Sequence, residues 1–391
     1  MRIRAATFNA WGLPEPFSRD LAARVRAIEE RLPKLGIDVI VFQEVWTAGT
    51  RQALTAAGSS SGLPHVWHNE AFLGGGGMLV LSRFPIADVR FERFGLRGDP
   101  EQFGQGEYLS GKGFVHVRLS SPVGPVSVVG THLHARYSRS ASHQYRAHRI
   151  GQIVQLAASL AEIRDPLLVM GDFNLCEQDP EYAVLTGLTG MRDAAAELGH
   201  RLPTVFRGNP YRQARKKPDR RIDLVFLRGG SEHQIRARDA ERIFDEPLDL
   251  GGRPAACSNH AGVLIEAEVV REAALSSQLP DVGALALAAE LLRKGRFEAE
   301  RRRLDERTAS CVGVGLAGVA ALGGRVPRVR RRKFLRIGLR STALLALTPS
   351  VGLSVLSEGF RSGEIHAFDH AAAHLAKLAR ISHRVAAVAT W

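Results

Sequence analysis

The chain has 391 residues, 45% of them hydrophobic and 24% charged, with 53 basic against 40 acidic side chains and a formal charge of +13. That much apolar mass can close a sizeable core, which excludes a disordered chain, a collagen-like fibre and a disulfide-stapled miniprotein. Cys176, Cys257 and Cys311 are odd in number and widely spaced, so they offer no disulfide framework and no CxxC metal pair and fit a reducing compartment or buried thiols.

In chain order, the opening MRIRAATFNAWG lacks the apolar stretch of a secretory signal, and a cytoplasmic location is expected. It reads as a strand over 2–8. A helix follows over 18–35, with Leu21, Val25, Ile28, Leu32 and Leu35 on one face and Ser18 as its cap. Strands are then expected over 38–44, 77–83, 114–120 and 125–134. A helix over about 142–163 turns Ile150, Ile153, Val154, Ala157 and Leu160 inward, and strands follow over 166–172, 221–227 and 262–269. Several strands are continuously apolar, which predicts burial on both faces, and many strands with a few helices predict packed sheets covered by helices.

Composition changes near residue 268. Residues 1–268 carry 33 basic and 30 acidic side chains, whereas residues 269–391 carry 20 and 10 and are rich in Ala, Leu and Arg. A domain boundary is expected there, giving an enzyme-like part over 1–268 and a basic, amphiphilic helical tail over 269–391. Only seven of the 53 basic residues are lysine, a bias that makes charge alone a weak argument for a nucleic-acid or membrane partner.

Polar residues sit at the strand ends in a pattern. Asn9 follows ATF, Glu44 ends DVIVFQE, His132 and His134 end VSVVGTHLH, and Asp172 and Asn174 end LLVMGDFN. Asp223 sits in RIDLVF, and Asn259 and His260 precede the last strand. Each is ordinary alone, since Asp and Asn are common in turns. Together they suggest one polar pocket on a sheet rim. Carboxylates such as Glu44 suit Mg²⁺, imidazoles move protons near neutral pH, and amides such as Asn9 and Asn174 hold phosphoryl oxygens without adding charge. The combination describes metal-assisted phosphoester hydrolysis.

The set NAWGLP, FQEVW, SRFPI, GTHLHARY, GDFN, RIDLVF and SNH resembles the endonuclease/exonuclease/phosphatase superfamily. NxWG, SGKG (110–113), THLHARY (131–137) with AHR (147–149), and RID look most like its neutral sphingomyelinase branch. The resemblance covers about residues 1–268. It implies a four-layer α/β/β/α sandwich, two packed mixed sheets flanked by helices, with the active site on one edge. Carried over by position, it makes Glu44 the Mg²⁺ ligand (Mn²⁺ a substitute), with Asn9 and Asn259 beside it, and His260 the general base. Asp223 would orient His260, Asp172 and Asn174 would position water and phosphate, and His132 would contact phosphate, with His134 in a supporting place. Lys112 would touch substrate phosphate or, with Glu107 five residues before it, form the switching pair found in one branch. One departure stands out: the family pattern is Ser-Asp-His, whereas this chain has Ser258-Asn259-His260. The lost charge weakens any effect of that carboxylate on a metal or on the histidine.

Other motifs carry a plainer structural meaning. Gly58 to Gly62 matches GxSxG but is read as a loop, not a nucleophile elbow. Gly74 to Gly77 is read as a loop beside the rim, and ARKKPDRR (214–221) as a solvated basic loop. His366, His370 and His374 with Asp369 are read as an exposed or interfacial helix face rather than a Zn²⁺ site. In the tail, 308–324 and 341–357 are each uncharged for 17 residues and flank RVPRVRRRKFLRIGLR, with eight basic side chains in 16 residues. At 1.5 Å per residue such runs are short for a ~30 Å hydrocarbon core, and Pro349 weakens the second. These segments are expected in the membrane interface, with arginines on anionic headgroups. LALTPSVGLSVL (345–356) resembles the hydrophobic region of a membrane-bound neutral sphingomyelinase. A final helix is expected over about 364–388. The functional expectation is a Mg²⁺-dependent, phospholipase C-type hydrolase of sphingomyelin or a related phospholipid. The alternatives are a nuclease of the same superfamily, which makes nucleic acid the less favoured partner, and a membrane-binding protein with catalysis weakened at Asn259. No protein partner is indicated.

Overall fold

The computed structural model describes residues 1–69, 75–102, 106–137, 145–212, 218–272 and 279–388. In chain order its elements are β1 (Arg2–Asn9), α1 (Leu21–Arg31), β2 (Val39–Gln43), α2 (Ala48–Ser60), β3 (His65–His68), β4 (Leu79–Ser82), β5 (Ile86–Arg93), α3 (Glu107–Ser110), β6 (Gly113–Ser121), β7 (Gly124–His132), α4 (Arg146–Leu160) and β8 (Leu167–Asp172). They continue with α5 (Pro180–Thr189), β9 (Arg192–Asp193), α6 (Ala194–Glu197), β10 (Asp223–Arg228), β11 (His233–Ile243), β12 (Leu248–Asp249), β13 (Pro254–Ala255) and β14 (Gly262–Arg271). The tail holds α7 (Val282–Gly323), α8 (Pro327–Arg330), α9 (Lys333–Ser354), a π-helical stretch Val355–Arg361 and α10 (Ser362–Val388).

Two six-stranded mixed sheets form, in the orders β11-β14-β1-β2-β4-β3 and β5-β6-β7-β8-β10-β9. Within β1, Ile3 and Ala5 face one way and Ala6 and Phe8 the other, as the two-residue strand period requires. The first pair joins Val39, Val41 and Val80 against Val115, Val128, Met170 and Val225 of the other sheet, so the main core lies between the sheets. The second pair joins Ile40, Phe42, Leu79 and Leu81 under Ile28 and Leu54 of α1 and α2. Helix α4 buries Ile150, Ile153, Val154, Ala157 and Leu160 as its spacing predicts. The architecture is the four-layer sandwich.

Several local expectations change. The first helix begins at Leu21 rather than residue 18, and its last turn tightens into a 3-10 segment, Leu32–Leu35. Ser18 does not cap it: its hydroxyl donates to the Leu13 carbonyl, and Asp20 at the helix start is drawn to Tyr211 and Arg253. The GSSSG segment is not a loop, since Gly58 to Ser60 close helix α2 and the Ser60 and Ser61 hydroxyls donate to the Ala57 carbonyl. Gly74 and residues 214–217 lie outside the described residues, while Gly77 accepts from the Val45 amide beside Glu44.

Two compact units are present, Met1–Ala288 with His374–Trp391, and Ala289–Ala373. The boundary expected at 268 therefore falls inside β14. The first unit runs further because the start of α7 seats on α5. Asp281 N donates to the Gly187 carbonyl, and a Cβ on Gly187 would lie 2.5 Å from that of Ala284.

In the second unit, Ser310 Oγ donates to the Ser350 carbonyl at 2.7 Å, and a Cβ on Gly313 would lie 2.0 Å from Ser350 Oγ, so α7 and α9 cross closely on small residues. On one side of this crossing, buried Arg361 pairs with Glu306 and Glu364. On the other, Val319, Leu322, Leu344, Leu345 and Phe334 are exposed. Pro349 does not break α9. The helical run Lys333–Ile381 is long and apolar enough to cross a membrane by length and composition, beyond what the 17-residue uncharged run suggested. His366 and His370 are exposed, and Asp369 is held by Arg296.

Candidate functional site

Strand pairing brings the polar ends together. β1 and β2 run parallel with Asn9 opposite Gln43, so Asn9 and the following Glu44 leave one edge of the first sheet. In the second sheet β7 and β8 run parallel with His132 opposite Asp172, and β10 begins antiparallel with Asp223 opposite Asp172. Gly171 permits this register, because a Cβ there would lie 1.9 Å from the Thr131 carbonyl oxygen.

Two hydrogen bonds, from Asn9 to Asp172 and between His260 and Asp223, join the edges across the gap between sheets. Asn9 Nδ2 donates to Glu44 Oε1 at 2.9 Å and to Asp172 Oδ2 at 3.0 Å. His260 Nδ1 lies 2.8 Å from Asp223 Oδ2 and 4.0 Å from Asp172 Oδ2. His132 Nε2 is 3.5 Å from Asp172 Oδ2. Asn174, with φ of 51°, donates its backbone N–H to Asp172 Oδ1 and its Nδ2 to the Leu133 carbonyl.

Burial, reinforced by the Asp223 carboxylate, pushes the Asp172 carboxyl well above the usual range. Burial alone would lower His260, but Asp223, then Asp172 and Glu44, outweigh it and raise the imidazole. Burial, then Lys112, drives His132 down, so that ring is neutral. Clustered carboxylates of this kind fit a cation. Glu44, His132 and Asp172 each offer a ligand atom, all within 4.8 Å of one another, and Asp223 Oδ1 is buried without a hydrogen-bond partner. Two carboxylates and an imidazole suit a divalent ion. Bound there, it would balance the carboxylates and stabilise charge on phosphoryl oxygens.

Of the expected residues, Asn9, Glu44, His132, Asp172, Asn174, Asp223 and His260 converge. Lys112 adjoins them: its Nζ donates to Glu107 Oε1 at 2.7 Å and to the Leu133 carbonyl that Asn174 also uses. Asn259 accepts from Ser258 Oγ, and no hydrogen bond joins it to Glu44 among the described residues. Asn9 Oδ1 accepts from the Trp11 amide, so its amide mainly orients the carboxylates.

Three contributors were not legible. Thr204 Oγ1 accepts from the Ile222 and Asp223 amides, and Tyr137 OH donates to Glu107. Buried Arg24 binds the carbonyls of Ala10, Trp11 and Cys257, fastening the loop after β1 to the one before His260. Its only signal was its place one residue before Val25 on the buried stripe of α1.

His134 is supporting rather than central. It stacks on Tyr145 with ring centroids 4.1 Å apart, and its Nδ1 contacts the Ala135 carbonyl. Burial lowers it to about 4, against the opposing pull of Glu107. The unfolded ring, near 6.5, therefore takes up a proton first as pH falls, and the folded state loses stability between about pH 6.5 and 4, on the order of 3 kcal/mol. Melting followed from pH 7 to pH 4.5 should show this slope, and His134→Gln should flatten part of it.

A sequence model of the Endonuclease/Exonuclease/phosphatase family matches residues 6–240. Sphingomyelin phosphodiesterase 2 of Homo sapiens is 31% identical over 202 residues, covering 50% of this chain and 47% of its own length. The inositol phosphosphingolipids phospholipase C of Schizosaccharomyces pombe is 30% identical over 196 residues, covering 49% and 46%. The chain thus spans about half the length of these curated relatives. Sphingomyelinase C from Streptomyces griseocarneus superposes with a TM-score of 0.54 at 20% identity, over 68% of this chain and 99% of that one, a likeness of fold.

Proposed function

This chain belongs to the endonuclease/exonuclease/phosphatase family, and from that premise we propose that it is a Mg²⁺-dependent phosphodiesterase of the phospholipase C type. It hydrolyses sphingomyelin or a related phospholipid to a lipid alcohol and a phosphorylated headgroup. The observation that carries this reading is the His260–Asp223 pair set beside the Asn9–Glu44–Asp172 bridge, a base next to a cation-fitting cluster. A cation held by Glu44 and Asp172 would offset the carboxylates that raise His260, and in its neutral form His260 takes the proton of the attacking water, Asp223 fixes the imidazole, and Asn174 and His132 flank the phosphoryl group. Lys112 lies close enough to add positive charge, and its pairing with Glu107 tempers that charge.

The test is a substrate panel with the full chain. Phosphocholine should be released from mixed micelles with Mg²⁺, more weakly with Mn²⁺, and not with chelator. Plasmid nicking in place of lipid turnover would favour the nuclease reading. No turnover of either, unchanged by Asn259→Asp, would favour the weakened-catalysis reading.

The second unit supports docking on a phospholipid surface rich in anionic lipids. Its exposed apolar residues flank the basic 325–340 segment, a pairing that suits the interface of an anionic bilayer. Leu344→Asp with Leu345→Asp in the full chain should cut flotation with phosphatidylserine vesicles at least about tenfold, since each leucine side chain is worth ~1.5–3 kcal/mol when buried. Unchanged flotation would remove this face from docking.

A further inference from the structure

Residues 173–178 leave the second sheet just past Asp172, and residues 219–222 enter it just before Asp223, at the same edge because β8 and β10 are antiparallel. Phe173 N bonds the Ile222 carbonyl at 2.9 Å, and Arg220 bridges Val205 through both backbone groups. These segments, with residues 201–203, wall a cleft of about 340 Å³ that includes Cys176, Glu177, Arg201, Asp219, Arg220 and Arg221. That is the small end of the roughly 300–1,000 Å³ of ligand pockets.

Its charges are unevenly spent. Glu177 is held by Arg221, which also binds Asp193 at 2.8 Å. Asp219 accepts from Arg212 Nη1 at 3.0 Å and from the Arg207 amide. Both acidic side chains of the cleft are therefore engaged. Arg220 Nε is buried without a partner, and Arg201 is exposed with no ion pair among the described residues. Among the described residues, no aromatic ring lines the cleft. A quaternary ammonium seeks aromatic faces or free carboxylates, and the described residues of the cleft offer neither. Guanidinium forks instead suit oxygen acceptors.

Resting on the phosphodiesterase reading, we infer that Arg201 and Arg220 form a headgroup subsite that selects lipids with a polyol or phosphorylated-polyol headgroup, such as phosphoinositol, over phosphocholine. Within ARKKPDRR, Arg220 thereby acquires a role that a residue of a solvated loop would not have.

The full chain is given a phosphoinositol sphingolipid and sphingomyelin in the same micelles with Mg²⁺. The kcat/KM ratio should favour the inositol lipid by about tenfold or more, the weight of one charged hydrogen bond. Arg201→Gln and Arg220→Gln should each collapse that ratio, mainly through KM. A ratio of one or less, or a ratio unmoved by both variants, overturns the subsite. Because Arg201 is exposed, its variant separates selectivity from misfolding. Calorimetry with inositol 1-phosphate and phosphocholine decides the matter without turnover. Tighter inositol phosphate binding that the variants abolish supports the subsite even if the lipid reading fails, whereas equal affinities overturn it. Variants that impair plasmid nicking while leaving the lipid ratio intact assign the cleft to nucleic-acid phosphates and overturn it too.

Discussion

His260→Ala is expected to lower phosphodiester turnover by about 10³-fold, within the range of a lost general base, while the melting temperature stays within a few degrees. The imidazole is held at Nδ1 by Asp223 at 2.8 Å, which leaves Nε2 for the reacting water. Asp223→Asn should cost nearly as much, because an amide can favour the wrong tautomer without disturbing the packing. Phosphocholine release from micelles measures both. A loss below tenfold in either variant removes the pair from proton transfer.

Arg24→Met should be the most damaging change away from the chemistry. The guanidinium is fully buried and binds the carbonyls of Ala10, Trp11, Arg19 and Cys257 and the Ser18 hydroxyl. A thioether fills similar space but leaves those acceptors unpaired, at ~1–3 kcal/mol for each one that water cannot reach. Stability should fall by about 3 kcal/mol or more, several degrees of melting temperature. Turnover should fall further than the folded fraction explains. The reason is local: Trp11 N holds Asn9 Oδ1, and Ser258 Oγ donates to the Asn9 carbonyl while accepting from the His260 amide. Activity that tracks only the folded fraction would show that Arg24 supports the fold and not the site.

The strands legible in the sequence were the central ones. Val39–Gln43, Leu79–Ser82 and Leu167–Asp172 are buried throughout, so their apolar runs announce them. The strands that escaped lie mostly at sheet edges. β5 reads IADVRFER and β11 reads HQIRARDAERI with a bulge at Ala237/Asp239. Edge strands carry charge against unwanted pairing, which erases the alternation that would reveal them. The site was legible for a related reason: a polar residue ending an apolar run is conspicuous. Thr204 and Arg24 were not, because their roles depend on which backbone groups tertiary packing brings to them. Likewise Ser18 matched a cap by position, but the loop satisfied its hydroxyl elsewhere.

The two hydrogen bonds spanning the sheets carry a consequence for the whole interior. Asn9 and His260 belong to one layer, Asp172 and Asp223 to the other, and the spacing between the layers is set by the valines and methionine packed between them. Interior volume is thus a chemical parameter of this protein. Trimming Val128 or Met170, neither of which bonds to the pocket, should detune the reaction by letting the layers settle closer, before the molecule comes apart.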